Sequence, residues 1–172
     1  MNRAIYFANV LGVDVGMFYK RRDYSRVVNG RNPIVAHEFL GDSVNGKDVI
    51  IIDDMISSGE SMIDVAKQLK ARNAKRVFCV CTFGLFTNGL DVFDAAKADG
   101  TIEKVITTNL TYRTDELLNR DWYITADMSK YIALLIDHLN HDVSISDILD
   151  PNDRITDRIN EYRQSHTIRE NY

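Results

Sequence analysis

The stretch that decides the fold is KDVIIIDDMISSGES, residues 47–61. Val49, Ile50, Ile51 and Ile52 form an unbroken apolar run. A β-branched run of this length predicts a buried strand of a parallel sheet. Two acids, Asp53 and Asp54, follow at its carboxyl end, where open α/β sheets bind their ligands. Ser57, Ser58, Gly59, Glu60 and Ser61 then make a short loop of mostly small, hydroxylated residues, after which a helical pattern begins. The free N–H groups of a helix start favour an anion such as phosphate. Gly59 lets the backbone approach a ligand closely. Hydroxyls and N–H groups together can neutralise a phosphate without a lysine. The segment therefore places a phosphate cradle beside two carboxylates able to accept hydrogen bonds from hydroxyls. That pairing suits a sugar phosphate.

Downstream, strands and helices alternate. Residues 61–71 predict an amphipathic helix with Met62, Val65, Ala66 and Leu69 inward and Lys70 and Arg72 at its C-terminal end. Residues 76–82, 102–107 and 122–124 predict strands, with the lone tryptophan, Trp122, packed at the last. Residues 90–98 and 128–139 predict helices; the second has Asp127 as its cap and Tyr131, Ile132, Leu135 and Leu139 inward. Residues 113–120 read as a polar excursion. Upstream, residues 3–12 predict a helix with Ala4, Ile5, Ala8 and Leu11 on one face, stopped by Gly12. Residues 13–19 predict a short strand, and residues 20–33 a mobile, charged loop. Residues 34–40 and 48–53 predict strands, and Asn45-Gly46 between them favours an antiparallel hairpin. The expected fold class is α/β, a mainly parallel sheet flanked by helices. Beyond His141 the chain turns polar, and Ile155, Ile159 and Tyr162 lie on one face of a short helix. Too small to fold alone, that stripe is expected to dock on its own domain or on another subunit.

The chain has 172 residues, 45% hydrophobic and 27% charged, which is ordinary for one soluble domain. Its net charge of −4 implies no general affinity for nucleic acid. No apolar run reaches membrane-spanning length and no signal peptide is visible, so the expectation is a cytoplasmic protein with no membrane partner. Cys79 and Cys81 share one face of an apolar strand and read as buried core thiols. His37, His138, His141 and His166 pair with no second ligand at metal spacing. A basic cluster, Lys20, Arg21, Arg22 and Arg26, stands out against the acidic background.

An apolar run, an acidic pair and a small-residue loop together resemble the PRPP-binding motif of the type I phosphoribosyltransferase (PRTase) fold, a three-layer α/β arrangement. The variant Asp53-Asp54-Met55-Ile56 resembles the ribose-phosphate pyrophosphokinase (PRPP synthetase) family within it. Lys20-Arg21-Arg22 resembles the opening of that family's catalytic flexible loop, and Gly41-Asp42 through Gly46-Lys47 the segment before the motif strand. The resemblance covers residues 2–141, leaving 142–172 as a C-terminal extension. It implies that residues 1–141 are the C-terminal domain of such an enzyme. The family's first strand, pyrophosphate loop and N-terminal domain are expected upstream of Met1.

The resemblance further implies transfer of the diphosphoryl group of ATP to the 1-hydroxyl of ribose 5-phosphate, giving PRPP and AMP for nucleotide biosynthesis. Asp53 and Asp54 would bind the ribose hydroxyls, and residues 57–61 the 5-phosphate. Lys20 and Arg22 would be catalytic, because fixed cations stabilise the charge that spreads over a transferring phosphoryl group. ATP is the implied co-substrate. Mg2+ is the implied cofactor, with its protein ligands outside this chain. A homo-oligomer built from dimers, up to a hexamer, is the implied assembly. The loop departs from the family pattern twice, with Ser57 where Asp is usual and Glu60 where a small residue is usual. Phe83 stands where the family has His. A carboxylate beside a phosphate dianion is unfavourable unless it turns to solvent. Two other readings stay open: a base-transferring phosphoribosyltransferase, and a non-catalytic regulatory homologue.

Overall fold

The computed structural model describes residues 2–22 and 34–167, without the side chains of 2, 20–22, 34–38, 166 and 167. Its centre is a four-stranded parallel sheet of order β3-β4-β5-β6, built from β3 (Asp48–Ile56), β4 (Arg76–Gly84), β5 (Lys104–Thr108) and β6 (Tyr123–Ala126). Helix α2 (Glu60–Lys70) crosses from β3 to β4, and α3 (Asp91–Ala98) from β4 to β5. Successive strand residues face opposite sides of a sheet, so Val77, Cys79 and Cys81 of β4 share a face with Val105 of β5. All four are buried in one cluster with Ile63, Ala66 and Leu69 of α2 and Phe93 and Ala96 of α3. Ala66, Ala96 and Cys79 are among the smallest core residues, and they leave room for both helices to lie close to the sheet. On the opposite face, α1 (Asn2–Leu11) reaches β4 through Arg3, whose Nη1 donates to Thr82 Oγ1 at 3.1 Å. Gly12 ends α1 in the left-handed region, φ 66°.

The antiparallel pairing lies elsewhere than expected. Strand β2 (Ile34–Leu40) pairs with β1 (Met17–Arg22), not with residues 48–53, and the two form a separate sheet. Asn45-Gly46 is a turn in the crossover to β3: Lys47 N–H donates to the Val44 carbonyl, and Gly46 N–H to the Asn73 carbonyl beyond α2. Asn45-Gly46 thus forms a turn, but its longer-range bond reaches the segment after α2 and not a neighbouring strand. The hairpin is tied to the parallel unit by Arg72, whose guanidinium lies 5.3 Å from the Phe18 ring and 5.8 Å from the Phe39 ring. Lys20 and Arg22 sit on β1, opposite His37 and Ile34, rather than in a loop. Backbone pairing to β2 carries the strand past residue 19. The rest of the expected charged loop, 23–33, lies outside the described residues.

Smaller differences have local causes. Residues 113–120 contain a short helix, α4 (Asp115–Leu118), capped by Thr114, whose Oγ1 accepts from Leu117 N–H at 3.2 Å. In α2 Ile63 is buried with Met62, Ala66 and Leu69, while Val65 is only half-buried. Helix α5 (Ser129–Asn140) buries no residue fully, and Ile132 and Leu139 are exposed despite their apolar character. Asp127 precedes its N-cap, Met128, and Asp127 Oδ1 accepts from Ser129 N–H at 2.9 Å. After α6 (Ser146–Leu149), the tail forms α7 (Asn152–Thr167), with Ile155 and Ile159 half-buried. It meets α1 where Tyr6 Oη donates to Asn152 Oδ1 at 2.7 Å, and α5 where Arg154 stacks on Tyr131. Among the described residues no helix is long and apolar enough to cross a membrane.

Cys79 and Cys81 are free and buried. Burial pushes the Cys79 thiol up to about 12 and the Cys81 thiol up to about 11, from 9.0. Unfolded thiols release their protons first, so between about pH 9 and the folded values the native state binds more protons. The stability this contributes is complete below about pH 9 and is lost as pH rises through about 11 and 12. The denaturant midpoint should therefore fall above pH 9, and fall less steeply in a Cys79→Ala, Cys81→Ala double variant. Equal slopes in the two proteins would remove the thiols from the account.

Candidate active site

Residues 53–61 gather at the carboxyl end of β3, which is an edge strand of the parallel sheet. The strand runs to Ile56, three residues beyond its expected end at residue 53, so Asp54 lies on β3 together with Asp53. The register sets Asp53 beside Cys81 and Met55 beside Phe83. Alternation then gives Asp53 the face of Cys81 and Asp54 the opposite one. The backbone nevertheless links them, because Asp53 Oδ1 accepts from Asp54 N–H at 2.8 Å. Both carboxylates are exposed. Their charge adds to the burial that raises Cys81.

Gly59 is the N-cap of α2, with φ 88°, and no side chain caps the helix. The N–H groups of its first turn are therefore open to an external acceptor. Ile63 N–H makes the first helical bond, to the Gly59 carbonyl at 3.0 Å. Ser57 and Ser61 are exposed, Ser58 is half-buried and Gly59 is buried. Glu60 occupies the first turn with its side chain exposed, where a carboxylate suits the positive helix end. It is thus placed to turn to solvent.

One contributor was not anticipated. The segment after β4 continues beside β3: Leu85 N–H donates to the Ile56 carbonyl at 2.8 Å and Thr87 N–H to the Ser57 carbonyl at 3.0 Å. This carries the Thr87 hydroxyl to 3.5 Å from that of Ser57. No local pattern in the sequence marks Thr87, since its place depends on pairing between residues 30 apart. Lys20 and Arg22 are placed only by their backbone on β1, and their side chains lie outside the described residues. Among the described residues no group of three or more His, Cys, Asp or Glu could hold a metal. His138 and His141 instead contact the Ser144 and Asp137 carbonyls through Nδ1. An open hollow of about 430 Å³ is lined by Arg3, Tyr6, Phe7 and Thr82, and Thr82 lies between Cys81 and Phe83, the register partners of Asp53 and Met55.

A family model described as the phosphoribosyl synthetase-associated domain matches residues 25–150. Ribose-phosphate pyrophosphokinase of Vibrio parahaemolyticus is 32% identical over 145 residues, covering 84% of this chain and 43% of that protein. The Pyrococcus abyssi protein of the same name is 38% identical over 89 residues, covering 52% of this chain and 29% of its own length. A crystal structure of phosphoribosylpyrophosphate synthetase from Mycobacterium smegmatis shares the fold, with TM-score 0.67 and 22% identity over 82% of this chain and 42% of that one. The chain thus spans less than half the length of these relatives.

Gly59 tolerates no side chain. A Cβ there would lie 2.2 Å from Phe93 Cζ, and φ is in the left-handed region. Gly59→Val should therefore destabilise the fold by about 3 kcal/mol through overpacking and backbone strain. Chemical denaturation measures this directly, and a variant as stable as the parent would show that Phe93 yields easily.

Proposed function

We propose a function from one premise: the chain belongs to the phosphoribosyl synthetase-associated domain family, whose model spans residues 25–150. On this reading the chain is the C-terminal, sugar-phosphate-binding part of a ribose-phosphate diphosphokinase. The enzyme transfers the diphosphoryl group of ATP to the 1-hydroxyl of ribose 5-phosphate. The observation that carries the reading is the junction of β3 and α2. There an uncapped helix start, a left-handed glycine and hydroxyls adjoin two exposed aspartates on a parallel edge strand. The 5-phosphate would rest against the first N–H groups of α2 and the hydroxyls of Ser57, Ser58 and Ser61. Asp54 and the second oxygen of Asp53 would accept hydrogen bonds from the ribose hydroxyls. Lys20 and Arg22, on the strand that leads into residues 23–33, would bring positive charge to the transferring group.

The ATP site and the Mg2+ that the chemistry uses are assigned to the remainder of the longer enzyme, which acts in the cytoplasm as a dimer-based homo-oligomer. Mg2+ would neutralise the phosphates of ATP; no residue of this chain is assigned to it. Positioning both substrates in line supplies much of such an enzyme's barrier reduction, so this chain alone should bind the sugar phosphate without forming PRPP. The second reading is a regulatory homologue: Glu60 stands in the first turn of α2, and although its side chain is exposed, its charge lowers the attraction of the helix start for a dianion.

Calorimetric titration separates these readings. Ribose 5-phosphate should bind the chain, and Asp53→Asn with Asp54→Asn should weaken it at least tenfold while leaving inorganic phosphate unaffected. No binding by the parent chain would favour the regulatory homologue. Steady AMP release from ATP by the chain alone, dependent on ribose 5-phosphate, would refute the division of labour.

A further inference from the structure

The shape of the 57–61 loop is fixed from outside it. A Cβ on Gly59 would lie 2.2 Å from Phe93 Cζ and 2.4 Å from Cε2, so the edge of this α3 ring presses on the glycine backbone. The ring has no room to withdraw. Phe93 is 0% exposed, stacks on Trp122 with centroids 5.4 Å apart, and meets Phe86 edge-on at 5.2 Å. Trp122 is pinned in turn, its Nε1 donating to Asp94 Oδ1 at 2.6 Å. Arg120 Nε donates to both oxygens of the same carboxylate, at 3.0 and 3.1 Å, and Arg120 Nη2 donates to Glu116. Phe86, with φ 48°, belongs to the segment whose N–H groups bond residues 56 and 57. The aromatic cluster therefore touches the loop at Gly59, and the segment that carries Phe86 bonds to it at Ser57.

We propose that Phe93 is a positioning residue for the 57–61 loop: by setting where Gly59 turns, its ring aims the first N–H groups of α2 at the bound anion. This rests on the reading of that loop as a phosphate site. Phe93 touches no ligand, yet its shape controls phosphate affinity through one contact.

The test uses the full 172-residue chain and inorganic phosphate as the probe. Phe93→Leu removes the ring edge, whereas Phe93→Tyr adds an oxygen at Cζ, the atom nearest Gly59. Val105→Ala, a core change on β5, is the control for a general loss of stability. Amide exchange is followed at Ile63 and Thr87, whose bonds to Gly59 and Ser57 report the loop. Calorimetry gives the phosphate Kd. Both Phe93 variants should speed exchange at Ile63 and Thr87 at least tenfold relative to β4 amides and weaken phosphate at least tenfold. Val105→Ala should lower the melting temperature while leaving Kd within twofold. Loop exchange and Kd that follow melting temperature alike in all three variants would reduce Phe93 to ordinary core and overturn the proposal. Altered loop exchange with no phosphate binding by the parent would keep the positioning and refute the phosphate reading.

Discussion

Parallel pairing of β3 with β4, from Asp48 beside Arg76 to Ile56 beside Gly84, is the constraint on which the other features rest. Arg76 anchors its start by donating to Asp48, and this holds the Asp48 carboxyl below the usual range. The far end of the ladder continues into two loops, where residues 85 and 87 bond to residues 56 and 57. A register shift of one residue would exchange the faces of every side chain on β3. It would turn Asp53 away from Cys81 and separate Thr87 from Ser57. The register thus sets both the core and the edge of the candidate site.

The core beneath the site combines small residues with a few large rings. Ala66, Ala96 and Cys79 let α2 and α3 approach the sheet, while Phe93 and Trp122 fill the space beyond. Burying a ring such as Phe93 contributes about 1.5–3 kcal/mol by area alone. The same burial leaves Trp122 with an indole N–H that needs a partner, and Asp94 supplies it. Asp94 joins α3 to residues 120–122 ahead of β6, so packing, hydrogen bonding and loop shape share one set of side chains. Gly59 follows from this arrangement: with Phe93 in place, only a residue lacking Cβ fits the helix start.

The strand over the apolar run, the acidic pair and the hydroxylated loop were legible in the sequence because each is a local pattern with a local physical meaning. The expected burial of that run was not met, because β3 lies at the end of the described sheet and leaves Ile50 exposed and Val49, Ile51 and Ile52 half-buried. Alternating strands and helices with helical spacing in residues 61–71 were equally local, as was the glycine stop after α1. Three features were not local. Asn45-Gly46 marks a turn in any context, but which strands flank it depends on β2 finding β1 and on Arg72 stacking over Phe18 and Phe39. The apolar spacing of α5 predicts a buried face, yet exposure depends on what lies opposite, and Ile132 and Leu139 are exposed. Strand ends are set by pairing partners, so the sequence placed β1 too early, at 13–19 and not Met17–Arg22, and ended β3 too soon, at 53 and not Ile56.

By itself, then, the sequence determined the alternation of strands and helices in the parallel unit, and that small hydroxylated residues and carboxylates adjoin at residues 53–61. These depend on side-chain period and on the intrinsic preferences of Ser, Gly and Asp, which act over a few residues. Only the tertiary structure decided that Gly59 rests on Phe93, that Thr87 joins Ser57, and that the hairpin is β1 with β2. Those contacts join residues far apart in the chain. They follow from how close-packed layers meet, a condition that no local window of sequence contains.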